Sequence, residues 1–128
     1  MKTLLIVTSV IESITGLTFL ILPSLLVSIL LGSCTDSAAD LLVGRVAGAA
    51  LLSLGVTCWL ARNDEKSVTT KGLMVAMLLY NVIATMLLAY AALGAHLAGV
   101  GLWPTVLIHI AMAVWCSLVL LEMFANNN

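Results

Sequence analysis

The stretch LLVGRVAGAALLSLGVTCWLAR, residues 41–62, decides the fold of this chain. It is apolar over more than the roughly 20 residues that an α-helix needs to cross a bilayer, yet it carries Arg45 near one end. A guanidinium within hydrocarbon costs about 2.5 to 3.5 kcal/mol on insertion scales. Arg45 therefore needs a partner, a wet cavity or a route to the lipid headgroups.

The same stretch contains a GxxxG pair, Gly44 and Gly48, which allows another helix to approach its backbone closely. Gly55 lies on the same arc of a 3.6-residue helix. Gly16, earlier in the chain, shares a helix face with small and hydroxylated residues. We therefore expect Gly16, Gly44, Gly48 and Gly55 to pack helices together.

The composition places the whole chain in a membrane. Of its 128 residues 62% are hydrophobic and 9% are charged, whereas charged residues make up roughly a quarter of a soluble domain. The net charge of −1 provides no basic face, so nucleic acid is excluded as a partner and the lipid bilayer is expected. Cys34, Cys58 and Cys116 lack C-x-x-C spacing, so neither a disulfide framework nor a zinc site is indicated. No cofactor is expected.

The pattern predicts an all-α fold, an integral membrane four-helix bundle that forms one domain over residues 1–128. The predicted spans cover about residues 4–31, with a break at Pro23, and about residues 41–61, 72–93 and 103–124. Ser37 and Asp40 have the S-x-x-D form of a helix-starting capping box. Ser67, Thr69 or Thr70 is expected to cap the third span.

The basic residues predict the orientation of the bundle. Lys2, Arg62, Lys66 and Lys71 fall on one side of a four-span topology, and the two opposite loops contain no Lys or Arg. By the positive-inside rule both termini are therefore cytoplasmic.

Each predicted span contributes one polar residue that is costly in lipid: Glu12, Arg45, Asn81 and His109. An inward Arg45 would pair with Glu12 in a compensated polar cluster, whereas an outward Arg45 would extend to the headgroups and leave Glu12 without a counter-charge. The cluster has two interpretations. It locks the helices in register through hydrogen bonds, or it marks a ligand, ion or proton site.

These residues resemble those of an uncharacterised family of small bacterial four-span inner-membrane proteins, loosely DoxX-like. The similarity covers most of the chain. The matching positions are Glu12 and Gly16, Pro23, GRVAG at 44–48, Cys58-Trp59, Tyr80-Asn81, Trp103-Pro104 and His109. The resemblance implies a multi-pass protein of the bacterial inner (plasma) membrane and brings no activity with it.

Three functional hypotheses follow. The first is a non-enzymatic accessory or structural subunit of a membrane complex, because the chain has almost no mass outside the membrane; its partners would be other membrane subunits or further copies of itself. The second is a small-solute or proton-linked carrier or binding protein, in which Glu12 titrates, Arg45 is its counter-charge, and Asn81 and His109 orient the ligand. The third is a membrane-embedded redox or quinone-binding protein that uses His109 and Tyr80.

Overall fold

The computed structural model describes residues 1–33, 37–64 and 67–125, and within these ranges it is all-helical. The helices are α1 (Lys2–Ile21), α2 (Pro23–Leu31), α3 (Ala38–Ala61), α4 (Val68–Leu93) and α5 (Leu102–Ala125). α1, α3, α4 and α5 are long and apolar enough to cross a membrane. The predicted all-α fold with four membrane-length helices is confirmed.

Caps and the proline account for where the helices begin and end. Ser37 Oγ accepts a hydrogen bond from the backbone N–H of Asp40 at 3.4 Å, and Ser67 Oγ accepts one from that of Thr70 at 3.1 Å. Because both caps lie outside the purely apolar runs, α3 and α4 begin a few residues before the predicted starts at 41 and 72. Pro23 occupies the first turn of α2, directly after the break at Leu22.

α1 and α3 form a tightly packed antiparallel pair. A Cβ atom added to Gly48 would lie 2.7 Å from the carbonyl oxygen of Gly16, and one added to Gly16 would lie 2.6 Å from the backbone nitrogen of Leu52. Further along the same contact, Gly44 faces Pro23 and Gly55 faces Ser13. The glycines therefore let two backbones meet where side chains would separate them.

α4 and α5 form a second pair, and the two pairs meet around an apolar cluster near the end of the bundle where α1 begins, here called the N-terminal end. All four long helices contribute to this cluster. Its buried members are Leu4, Leu5, Cys58, Met74, Met77, Met112, Cys116, Val119 and Leu120.

The opposite end, here called the α2 end, is closed differently. The backbone N–H of Gly101 donates to the carbonyl of Ile29 at 2.8 Å, and a side chain at Gly99 would overlap the backbone of Leu30. The connection between α4 and α5 therefore lies directly against α2, which ties the two helix pairs together.

Large apolar side chains cover the exterior of the bundle. Ile14, Leu42, Leu87 and Leu107 are each more than 60% exposed, one on each long helix. Water would disfavour such a surface, and acyl chains solvate it. The described chain is thus a multi-pass helical membrane protein.

Candidate functional site

The interior of the bundle contains an acidic side chain on α1. Glu12 is only 5% exposed, and Thr8 and Ser9, on the same side of the helix, are 2% and 6% exposed. Glu12 makes no hydrogen bond or ion pair with any residue that the structure describes. An intramembrane carboxyl that faces the protein and has no cationic partner is the most costly group of this bundle.

The carboxyl group is not completely enclosed. In the described ranges, no buried side-chain oxygen or nitrogen is both sealed from solvent and without a hydrogen bond. The small residual exposure of Glu12 must therefore fall partly on its carboxyl oxygens, and the same argument applies to the Thr8 and Ser9 hydroxyls. There is therefore room for a water-sized molecule beside this polar face of α1.

The best-defined polar contact joins α4 to α5. His109 Nδ1 lies 2.9 Å from Asn81 Oδ1, and the Asn81 side-chain amide donates to the carbonyl of Met77 at 2.8 Å. Since the Asn81 oxygen can only accept, His109 carries its proton on Nδ1 in this contact. The other ring nitrogen of His109 is then an acceptor in the neutral ring and a donor in the protonated one.

Tyr80 connects the two sets of polar residues. Its ring packs edge-on against the His109 ring, with centroids 5.6 Å apart. Glu12 lies close enough to Tyr80 and to Cys58 for an electrostatic interaction with each. We call Glu12, Tyr80, Asn81 and His109 the polar cluster; it draws on α1, α4 and α5.

Arg45 lies outside the polar cluster. Its side chain is exposed, and it forms no ion pair or hydrogen bond with the described residues. Arg45 lies at the level of Pro23 in the bundle, because the neighbouring Gly44 faces that proline across the α1–α3 contact. The inward arrangement, with Arg45 as counter-charge to Glu12, is therefore not the one that the structure adopts. The long stem of Arg45 can instead extend to the headgroups.

Other predicted residues have packing roles. Gly16, Gly44, Gly48 and Gly55 are all buried in helix contacts, and Cys58 and Cys116 are free thiols at 0% exposure. Cys34 and Lys66 lie outside the described residues. In the described ranges no group of three or more His, Cys, Asp or Glu side chains is arranged to hold a metal ion.

From the sequence, Tyr80 has a functional role only in the redox or quinone-binding hypothesis. Tyr80 directly precedes Asn81, so its side chain is about 100° around the helix from the buried face of α4. Helical spacing therefore does not place it in the interior. The T-shaped contact with His109 brings it inward. The feature of the sequence that could have identified Tyr80 is its polar hydroxyl in the middle of a span, since tyrosines of membrane helices are commonest near the interfaces.

Comparison of the chain with family models, with curated proteins and with solved structures gives no match in any of the three. The DoxX-like resemblance accordingly stays a prediction. A proposal about function therefore depends on the geometry of the polar cluster.

Proposed function

We propose that this protein is a small proton-linked binding or carrier protein of the membrane, in which Glu12 releases its proton when it binds a solute. The observation that carries the proposal is the Glu12 carboxyl, which is buried in the bundle, has no cationic partner among the described residues and borders space for a water-sized molecule. A carboxyl there needs a positive charge whenever it ionises, and the described protein provides none.

The neighbouring residues have complementary roles in this proposal. The hydrogen bond from His109 to Asn81 fixes the His109 ring on α5 relative to α4. The fixed ring leaves one nitrogen free to donate to or accept from a bound molecule. The Tyr80 hydroxyl and the Thr8 and Ser9 hydroxyls offer further hydrogen bonds that Glu12 itself does not use. The roles proposed from sequence for Asn81 and His109 are kept, and that of Arg45 is replaced by headgroup anchoring.

The accessory-subunit hypothesis is supported by the small size of the chain and its apolar exterior. An apolar surface of this kind fits acyl chains as well as another helix, so it does not distinguish a subunit from a free-standing carrier. The interior carboxyl favours the carrier. The bacterial inner membrane, implied by the family resemblance, is the location that we propose for it.

Infrared spectroscopy of the reconstituted protein tests the proposal. The carboxyl stretch of the protonated Glu12 side chain should shift when H₂O is replaced by D₂O and should change with pH. Glu12→Gln should remove this signal. Glu122→Gln is the matched control, because Glu122 is an exposed carboxyl in the last turn of α5, and this variant should keep the signal.

A Glu12 band that responds neither to D₂O nor to pH would mean that water does not reach the carboxyl. The side chain would then be a structural group, and the proposal would be wrong. A band present in all three proteins would assign the signal to another residue and would contradict the proposal equally.

A further inference from the structure

Most of the sulfur side chains of this protein lie in one place. The sequence contains three cysteines and six methionines. Five of these nine side chains are buried in the apolar cluster at the N-terminal end of the bundle, namely Cys58, Met74, Met77, Met112 and Cys116. Met1 and Met123 pack against the same cluster. Met86 is instead 58% exposed, and Cys34 lies outside the described residues. Sulfur is thus concentrated where all four long helices meet.

The hydrogen bond between Asn81 and His109 places two of these sulfur side chains at the same level. α4 and α5 are packed neighbours joined by a short connection and run antiparallel, so equal steps from the bonded pair toward the N-terminal end stay level. Seven residues along, which is about 10 Å and two helical turns, α4 has Met74 and α5 has Cys116. Two turns return to the same face of each helix, and both side chains are 0% exposed. Met74 and Cys116 therefore face the interior at one depth.

A third sulfur comes from the other helix pair. Cys58 of α3 is 0% exposed, and its thiol lies close enough to that of Cys116 for an electrostatic interaction between them. Both thiols are free. We call Cys58, Met74 and Cys116 the sulfur site; it takes one side chain from each of three helices. Leu4 and Leu5 of α1 belong to the same buried cluster, so the surroundings of the site are apolar.

We propose that the sulfur site binds a soft monovalent metal ion of the Cu(I) class, with Cys58 and Cys116 as sulfur ligands and Met74 as a thioether ligand. Soft thiolate and thioether groups are ligands that select Cu(I). The binding step leaves the oxidation state unchanged. Cu⁺ forms a bond to one cysteine sulfur, that thiol releases its proton to the solvent, and the other thiol and the thioether donate as neutral ligands. The thiolate cancels the charge of the ion, so the interior gains no net charge.

The types of ligand favour a soft monovalent ion over the common divalent ions. Zn²⁺ takes four ligands, drawn from cysteine, histidine and carboxylate side chains and water. In the part of the chain that the structure describes, no three cysteine, histidine or carboxylate side chains form such a group. Ca²⁺ and Mg²⁺ take oxygen ligands, and the sulfur site provides none.

Sulfur side chains also continue from the site toward the surface. Met123, in the last turn of α5, lies seven residues beyond Cys116 and therefore on the same face of that helix. Met123 and Met1 are half-buried and pack against the cluster. A soft ion that enters from the N-terminal end therefore meets thioether groups before it reaches Cys116.

The test measures the affinity of the full chain for Cu(I) in detergent micelles, without oxygen and with ascorbate as reductant. Bicinchoninate, a chelator that is coloured when it holds Cu(I), competes with the protein for the metal. All proteins carry Cys34→Ser, which removes the remaining cysteine. The protein with an intact sulfur site should take one Cu(I) per chain from the chelator. Cys58→Ala and Cys116→Ala should each weaken binding by about tenfold or more.

Two methionine variants of α4 separate metal binding from packing. Met74→Leu removes a thioether and nearly keeps the volume of the side chain, and such exchanges are well tolerated in protein cores. This variant should bind Cu(I) more weakly. Met86→Leu is the matched control, because Met86 is exposed on the same helix, and its affinity should be unchanged. This pair remains decisive if a cysteine variant does not fold.

X-ray absorption at the copper edge identifies the ligand atoms with the sulfur site intact. The protein loaded with Cu(I) should show sulfur as the only type of ligand. Nitrogen ligands would assign the metal to His96 or His109 and would overturn the proposal.

Three results of the titration would also overturn it. They are a failure to take Cu(I) from bicinchoninate, equal affinities of Met74→Leu and Met86→Leu, and displacement of the bound Cu(I) by Zn²⁺. The inference goes beyond the proposed function, because none of the three ligands belongs to the polar cluster. Failure of copper binding therefore leaves the proposal for Glu12 unchanged, and failure of the infrared test leaves the sulfur site unchanged.

Discussion

A hydrogen bond between the Asn81 and His109 side chains joins α4 to α5. Such bonds contribute about 0.6 kcal/mol on average between membrane helices, and at most about 1.7 kcal/mol, because the separated helices also find partners. We expect Asn81→Ala and His109→Ala each to destabilise the bundle. Their double-mutant cycle should give a coupling energy of about 0.5 to 1.7 kcal/mol. The measurement is reversible unfolding in mixed detergent micelles.

A cycle between Asn81→Ala and Thr57→Ala is the control for this prediction. Thr57 is exposed on α3 and donates only to the carbonyl of Ser53 in its own helix. Its coupling to Asn81 should be close to zero. A coupling between Asn81 and His109 that is no larger than this background would mean that the 2.9 Å contact does not contribute to stability.

Single residues also show how far sequence reasoning extends. Glu12 and Asn81 could be placed on inward faces, because in a membrane each polar side chain needs a protein partner and helical spacing gives the face. Arg45 could not be placed. Its stem is long enough to reach either Glu12 or the headgroups, and which one it reaches depends on the rotation of α3, which its glycines set against α1.

At the scale of elements, the contact between α1 and α3 depends on the absence of side chains at a few positions. Gly48→Ala would put a Cβ 2.7 Å from the carbonyl of Gly16 and 2.8 Å from the Cβ of Phe19. Backbone cannot yield as a flexible side chain can, so the helices must separate. We expect a loss of about 1 to 3 kcal/mol in the free energy of unfolding, measured in the same detergent titration.

Gly72→Ala is the matched control for this packing prediction. Gly72 lies in α4, and a Cβ there would meet nothing within 4 Å. Because alanine is the better helix former, this variant should be neutral or more stable by up to about 1 kcal/mol. Equal destabilisation by both variants would show a general intolerance of substitution and not a close contact between α1 and α3.

The elements themselves were largely predictable, and their inner packing was not. The break at Pro23 and the caps at Ser37 and Ser67 follow from local backbone chemistry. Ala84 and Leu88 continue the helical face of Asn81, and the structure leaves them half-buried. Helical spacing assigns a face and not a depth of burial. That depth depends on how the two helix pairs pack against each other, which is a property of the tertiary structure.

At the scale of the whole molecule, the orientation in the membrane follows from the basic residues at the two ends. Lys2, Arg62 and Lys71 lie at the N-terminal end, and the Arg62 guanidinium is stacked 3.9 Å over the Trp59 ring, as expected of an interfacial anchor. Arg45 is the exception. It lies about 10 Å along α3 from the start of that helix, nearer the α2 end. A single basic residue there does not outweigh the three at the N-terminal end.

We therefore expect the N-terminal end to be cytoplasmic and the α2 end to face outward, and cysteine labelling tests this. In a background with Cys34→Ser, Cys58 and Cys116 are fully buried and should not react with a membrane-impermeant maleimide. Ala39→Cys, exposed at the start of α3, should label in intact cells, and Asn63→Cys, exposed after α3, only in inverted vesicles. The reverse pattern would put the α2 end in the cytoplasm.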